Sequence, residues 1–157
     1  MTMKSDWSKP DLLYRVNCSC CSQAPTVEGQ DIVARSSANV NLFAQHDERK
    51  LEELKKCFEQ HMDWSCREPS PFMSAYGDEE KARERAEQRV DDEHLDVTVT
   101  TIDASLLGKG AVRHVLSVRA QFNIQLEEKV YYAAQHEFLI LHRVPKEAIL
   151  DVELVDS

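Results

Sequence analysis

The sequence predicts one α+β domain, on three observations. Apolar, strand-like segments stand at both ends of the chain, two amphipathic helices lie between them, and neither a linker nor an internal repeat divides it. Its 157 residues fit a single unit, residues 1–157 with a core of about 10–156, able to bury an ordinary core without disulfides or metals. At 42% hydrophobic and 30% charged, the composition is globular rather than disordered.

The first strand is Asp11–Val16, where Leu13, Tyr14 and Val16 suit a pleated, buried surface. Residues 17–41 are rich in Ser, Cys, Gly, Pro and Asn and read as loop, with one short helix near Asp31–Arg35. Asp47–Met62 is the clearest helix: Asp47 suits the N-cap, and Leu51, Leu54, Phe58 and Met62 recur at spacings of three and four. Pro69 and Pro71 end helical tendency, and Phe72–Ala75 follows as a short strand. A second helix, Asp78–Val90, has a thin apolar stripe of Ala82, Ala86 and Val90, and its Glu/Lys/Arg pattern reads as a solvated face. Alternation over Leu95–Ile102 predicts a half-buried strand. Between 104 and 134 helix and strand both remain open, with Val112, Val115, Leu116, Val118 and Phe122 fitting either. The apolar run Phe138–Leu141 predicts a central strand, and Ile149–Val155 a last one.

Charge narrows the function classes. Acidic residues outnumber basic ones 28 to 19, a net charge of −9, which argues against nucleic acid as a partner because phosphate contacts need a concentrated Lys/Arg surface. No segment approaches the roughly 18 apolar residues of a membrane span, so no membrane partner is expected. The start lacks an apolar signal core, so a cytoplasmic location is expected, with a secreted effector left open. The five cysteines, at 18, 20, 21, 57 and 66, are odd in number and irregular in spacing, which predicts reduced thiols rather than a disulfide framework. Cys57 and His61 share a helix face, but Cys-x-Cys-Cys is not the paired spacing of a zinc site, and no metal is expected.

Three segments carry a resemblance. Leu13-Tyr14-Arg15-Val16 resembles the first-strand arginine motif of the Arg–Ser–Glu branch of ADP-ribosyltransferases. Ser70-Pro71-Phe72-Met73-Ser74-Ala75 resembles the branch's aromatic-x-Ser-Thr-Ser segment, and Gln135-His136-Glu137 followed by Phe138–Arg143 resembles its Gln/Glu-x-Glu loop running into an apolar strand. Val144-Pro145 to Leu150 is similar to the segment after the catalytic glutamate of clostridial Rho-modifying toxins. The whole pattern also resembles uncharacterised fungal domains with Leu-Tyr-Arg, Ser-Pro-Phe and Glu-Phe/Tyr-Leu blocks. The blocks cover about a quarter of the chain but are spread over nearly all of it. This resemblance implies a split, mixed or antiparallel sheet core with flanking helices, NAD as substrate, and a toxin-like or effector role by analogy alone.

The residue types suit the implied chemistry. Breaking the nicotinamide–ribose bond develops positive charge on the sugar, which a fixed carboxylate stabilises; Glu137 is the candidate. Arg15 offers planar, permanently charged donors for the diphosphate, and Ser74 a hydroxyl that orients Glu137 or the ribose. By the resemblance, Val16, Phe72 and Tyr76 flank the dinucleotide, Gln135 faces a protein acceptor, and Tyr131 and Tyr132 contact that acceptor. Glutamine at this position accompanies non-arginine acceptors more often than arginine in the family. His136 points away from its neighbours if the segment is extended. Ordinary readings stand beside these: Arg15 as half of a structural ion pair, Ser74 as a backbone-bonding residue, Glu137 at an exposed strand end. The chain departs from the family at Val16, where glycine is frequent, and at Ala75 and Tyr76, which replace the Thr and second Ser. The expected activity is mono-ADP-ribosylation of a protein side chain or NAD glycohydrolysis; the departures motivate the alternative of an inactive interaction module.

Overall fold

The computed structural model describes residues 9–19, 29–34, 48–63, 70–108, 110–141 and 143–155. In chain order the elements are β1 (Leu12–Asn17), β2 (Ile32–Val33), α1 (Glu48–Met62), β3 (Phe72–Tyr76), α2 (Glu79–Asp91), β4 (Thr98–Asp103), β5 (Val112–His114), α3 (Val115–Phe122), α4 (Glu128–Ala133), β6 (Glu137–Leu141), β7 (Arg143–Val144) and β8 (Ile149–Leu154).

Six strands form one sheet in the order β5-β6-β3-β1-β4-β8, antiparallel at each pairing, while β2 and β7 make a separate ribbon. The α+β expectation is met. Along β1–β4 the register runs unbroken from Leu12↔Asp103 to Asn17↔Thr98, and along β3–β6 from Phe72↔Leu141 to Tyr76↔Glu137. Between β1 and β3 it consists of Tyr14↔Tyr76 alone. The sheet is therefore two well-laddered halves meeting at a seam.

The period-two alternation of each strand gives the sheet two different faces. On one, Leu54 and Phe58 of α1, Val115 and Val118 of α3, and Val130 of α4 pack over Phe72, Leu139 and Leu141. On the same face but the other half, α2 lays its fully buried Ala82 and Ala86 against Val16 and Val99. Small side chains let α2 lie close to β1, and Asp78 caps it by accepting from the Lys81 amide at 3.2 Å. The opposite face, with Leu13, Met73, Ala75 and Ile140, is covered by Ile32, Val144 and neighbouring residues.

Several expectations need correction. Residues 32–33, expected to be helical, pair as a strand with β7, because Ile32 closes the second face with 0% exposure. The ambiguous 104–134 region holds both answers: β5 for three residues, then α3 directly after it, then α4. Residues 134–136 form a 3-10 turn, so the premise placing His136 in an extended segment fails. Cys18 is disulfide-bonded, with its partner outside the described residues, so the reduced-thiol expectation fails there; Cys57 is free. The expected cap Asp47, together with Cys20, Cys21, Cys66 and Pro69, lies outside the described residues. No helix among the described residues is long and apolar enough to cross a membrane.

Gly77, just after β3, sits where a Cβ would come within 2.8 Å of Cε1 of Phe138. Gly77→Ala is expected to destabilise the fold by about 1–3 kcal/mol through overpacking, read as a lowered urea midpoint. An unchanged midpoint would mean that the Phe138 ring moves aside freely.

Candidate active site

Ser74 and Glu137 lie on the helix-covered face, between the α1 side and the α2 side of the sheet. Ser74 is flanked on its strand face by Phe72 and Tyr76, and Tyr76↔Glu137 is a register pair, so β3 and β6 deliver the two side chains next to each other. Ser74 Oγ donates to Glu137 Oε2 at 2.5 Å. From the last turn of α1, His61 Nε2 stands 2.8 Å from Ser74 Oγ, while its Nδ1 is 2.7 Å from Ser70 Oγ. Ser70 Oγ in turn accepts from the Phe72 amide at 3.0 Å.

With Glu137 ionised, these contacts leave one consistent proton arrangement. Ser74 gives its proton to the carboxylate, so its oxygen accepts from His61 Nε2–H; His61 Nδ1 then accepts from the Ser70 hydroxyl. Burial pulls His61 down to about 4, which keeps the imidazole neutral as this relay requires. The helix spacing that placed His61 on the face of Cys57 thus serves a serine relay. Sequence reasoning set His61 aside with the cysteines; its place in the last turn before the Ser70–Ser74 segment was the available signal.

Glu137 is 7% exposed, and burial raises it to about 7 despite the Ser74 hydrogen bond and the charges of Arg85 and Arg89, which act the other way. Those two arginines, one turn apart on α2, were read as part of a solvated face. Both are half-buried, and the Arg89 guanidinium donates to the Val16 carbonyl at 3.4 Å, bringing it over β1. Tyr76 is pushed up to about 12 by burial and by the Glu137 charge, consistent with its place beside the carboxylate.

Arg15 is 1% exposed, and burial together with the charge of Arg89 lowers it to about 10, leaving it cationic at neutral pH. It alternates with Tyr14 and Val16, so it leaves β1 on the Leu13 face rather than on that of Ser74 and Glu137. The structure thus joins Ser74 and Glu137 by direct contact, and Arg89 is the charge neighbour common to Glu137 and Arg15. Beside Arg15, its register partner Thr100 and the strand neighbour Asn17 bury oxygens that find no partner among the described residues.

Of the residues expected to face an acceptor, Gln135 is exposed on the 3-10 turn, and Tyr132 is 69% exposed on α4. Tyr131 lies under the Arg119 guanidinium, 5.2 Å from the ring centroid. Val16 and Phe72 are core residues of the two halves. A groove of about 770 Å³ beyond Gly77 is lined by Tyr14, Asp78, Glu79 and further carboxylates of α2, the wrong charge for a diphosphate. The donor pair of Arg85 and Arg89 beside Glu137 has the right charge for one.

The raised Glu137 value has a sign. Its proton is held more tightly in the folded chain, at about 7 against 4.5, so the stability it contributes is full below 4.5 and is lost as pH rises through 7, on the order of 3 kcal/mol in all. His61 runs the other way: its contribution is full above 6.5 and is lost as pH falls towards 4. Glu137→Gln keeps an acceptor for Ser74 and removes the first dependence. Its urea stability relative to the parent is expected to climb from about pH 5 to about pH 8. A difference independent of pH would mean that the carboxylate is not held in a desolvated place.

The solved structure EcPltA, of ADP-ribosyltransferase type, superposes with a TM-score of 0.55 at 12% identity, over 91% of this chain and 74% of EcPltA. At that identity the likeness shows the fold, which is ADP-ribosyltransferase-like. No curated protein matches the sequence. A family profile matches residues 8–156, nearly the entire chain. The chain belongs to the family described as Domain of unknown function (DUF7587).

Proposed function

We propose that this domain cleaves the nicotinamide–ribose bond of NAD and transfers ADP-ribose to a protein side chain or, as a glycohydrolase variant, to water. The observation that carries this reading is the Ser74–Glu137 hydrogen bond, made on the buried floor between α1 and α2 with Arg85 and Arg89 alongside. A carboxylate fixed in a desolvated place acts most strongly on positive charge that forms next to it, as on a ribose losing nicotinamide.

Each residue has a part. Glu137, ionised, faces the developing charge, and Ser74 holds one of its oxygens so that the other is free to meet the ribose. His61, neutral, keeps the Ser74 hydroxyl turned towards Glu137. Arg85 and Arg89 supply the cationic surroundings for the diphosphate, whereas Arg15, buried on the opposite face of β1, does not reach it. Gln135 and Tyr132 meet the acceptor protein, a part supported by their exposure on the turn and helix before β6.

A second reading, an inactive relative used for recognition, is favoured by one observation. Tyr76, where the ADP-ribosyltransferase motif has a small serine, fills the position beside Glu137 with a buried ring.

The purified domain is expected to release nicotinamide from NAD, and Glu137→Ala to lower the rate by about 10²–10³-fold. Ser74→Ala and His61→Ala are expected to cost about tenfold each, and Arg89→Ala to act on NAD binding. The rate should rise with pH as Glu137 ionises, with an inflection near about 7. Absence of NAD binding at millimolar concentration would remove the enzyme reading and leave the recognition module.

A further inference from the structure

His114 is a buried histidine at the junction of β5 and α3, with 4% exposure. Its Nδ1 accepts from the Leu116 amide at 3.0 Å, capping α3. Because Nδ1 is an acceptor, the ring proton sits on Nε2, which donates to the Gln135 carbonyl at 3.0 Å. Gln135 is the middle residue of the 3-10 turn 134–136, which closes through the Glu137 amide donating to the Ala134 carbonyl. On the other side of that turn the Gly77 amide donates to the His136 carbonyl at 2.8 Å. The His114 ring also stands edge-on to Phe138, centroids 4.8 Å apart, with His114 and Phe138 in register. The Phe138 ring also lies close to Gly77, where a Cβ would come within 2.8 Å of it. The chain on both sides of Glu137 is thus held, and His114 touches it at Gln135 before and at Phe138 after.

We propose that His114 is a positioning residue for Glu137: through the Gln135 carbonyl it sets the turn from which the carboxylate enters the site. In the catalytic part, this inference rests on the NAD-cleaving reading; in the geometric part, it does not. The turn, with the Gly77–His136 bond behind it, gives Glu137 its starting direction, since the register with β3 begins at Glu137 itself, opposite Tyr76. A slack turn would let the carboxylate drift from the sugar at a stage when small displacements matter most. The neutral Nε2–H tautomer is selected by the α3 cap, so one ring couples a helix start to the presentation of a carboxylate.

Two variants separate the two bonds. In His114→Asn the side-chain oxygen stands where Nδ1 does and still caps α3, but nothing reaches Gln135. In His114→Gln the side-chain amide nitrogen stands where Nε2 does and still donates to Gln135, but the cap is lost. The proposal expects His114→Asn to lower kcat for nicotinamide release about tenfold to a hundredfold with KM for NAD nearly unchanged, and His114→Gln to restore most of it. In parallel, amide exchange at Gly77 and Glu137 should quicken in His114→Asn and stay slow in His114→Gln, with the Leu116 amide behaving the opposite way. Equal loss of kcat in both variants, in step with stability, would overturn the positioning role and leave a structural one. If the parent protein does not turn over NAD, the enzyme reading fails, and the exchange pattern at Gly77 and Glu137 alone decides the geometric claim.

Discussion

One buried carboxylate sets the terms for the surrounding structure. Glu137 begins β6 with 7% of its surface exposed, and a charge in such a place is tolerated only where hydrogen bonds and opposite charges offset its lost hydration. The molecule supplies these from three directions: Ser74 from the next strand, Arg85 and Arg89 from the helix that follows that strand, and the relay through His61 from α1. The offset is incomplete, since the group still titrates near 7. An incompletely offset carboxylate is a poor choice for stability and a suitable one for chemistry on a developing cation.

The departures from the family pattern gain a physical account. Ala75 points to the second face, fully buried among Leu13, Ile140 and Val144, so a hydroxyl there would meet the apolar core rather than the site. Tyr76 points the other way, beside Glu137, and adds a ring instead of a small hydroxyl. Support for Ser74 comes from outside its own strand, through His61. The serine and glutamate are thus held in contact with help from α1, beyond the two strands that carry them.

The legible parts of the sequence were those with a clean period. Leu54, Phe58 and Met62 at helical spacing fixed α1 to its face, and the unbroken Phe138–Leu141 run marked β6, which has neighbours on both sides. Short elements escaped: β2 spans two residues, and β5 three before the chain turns directly into α3, too few for any period to show. Ser74 and Glu137 were readable through their motifs. Arg85 and Arg89 were not, because a helix face turned to a charged cleft has the same composition as one turned to water. His114 carried no local mark, since its meaning lies in a carbonyl 21 positions further along the chain.

The meeting of β1 and β3 at a single residue pair has a mechanical consequence. Elsewhere, separating two neighbouring strands breaks a whole row of backbone bonds. At the Tyr14–Tyr76 junction it breaks almost none, so compliance is concentrated along one line of the sheet. Arg89 straddles that line, bonded to the β1 backbone while its charge reaches the Glu137 carboxylate on the far half. A guest wedged there would strain little but this arginine, which makes the softest part of the molecule also the part where its opposite charges sit together.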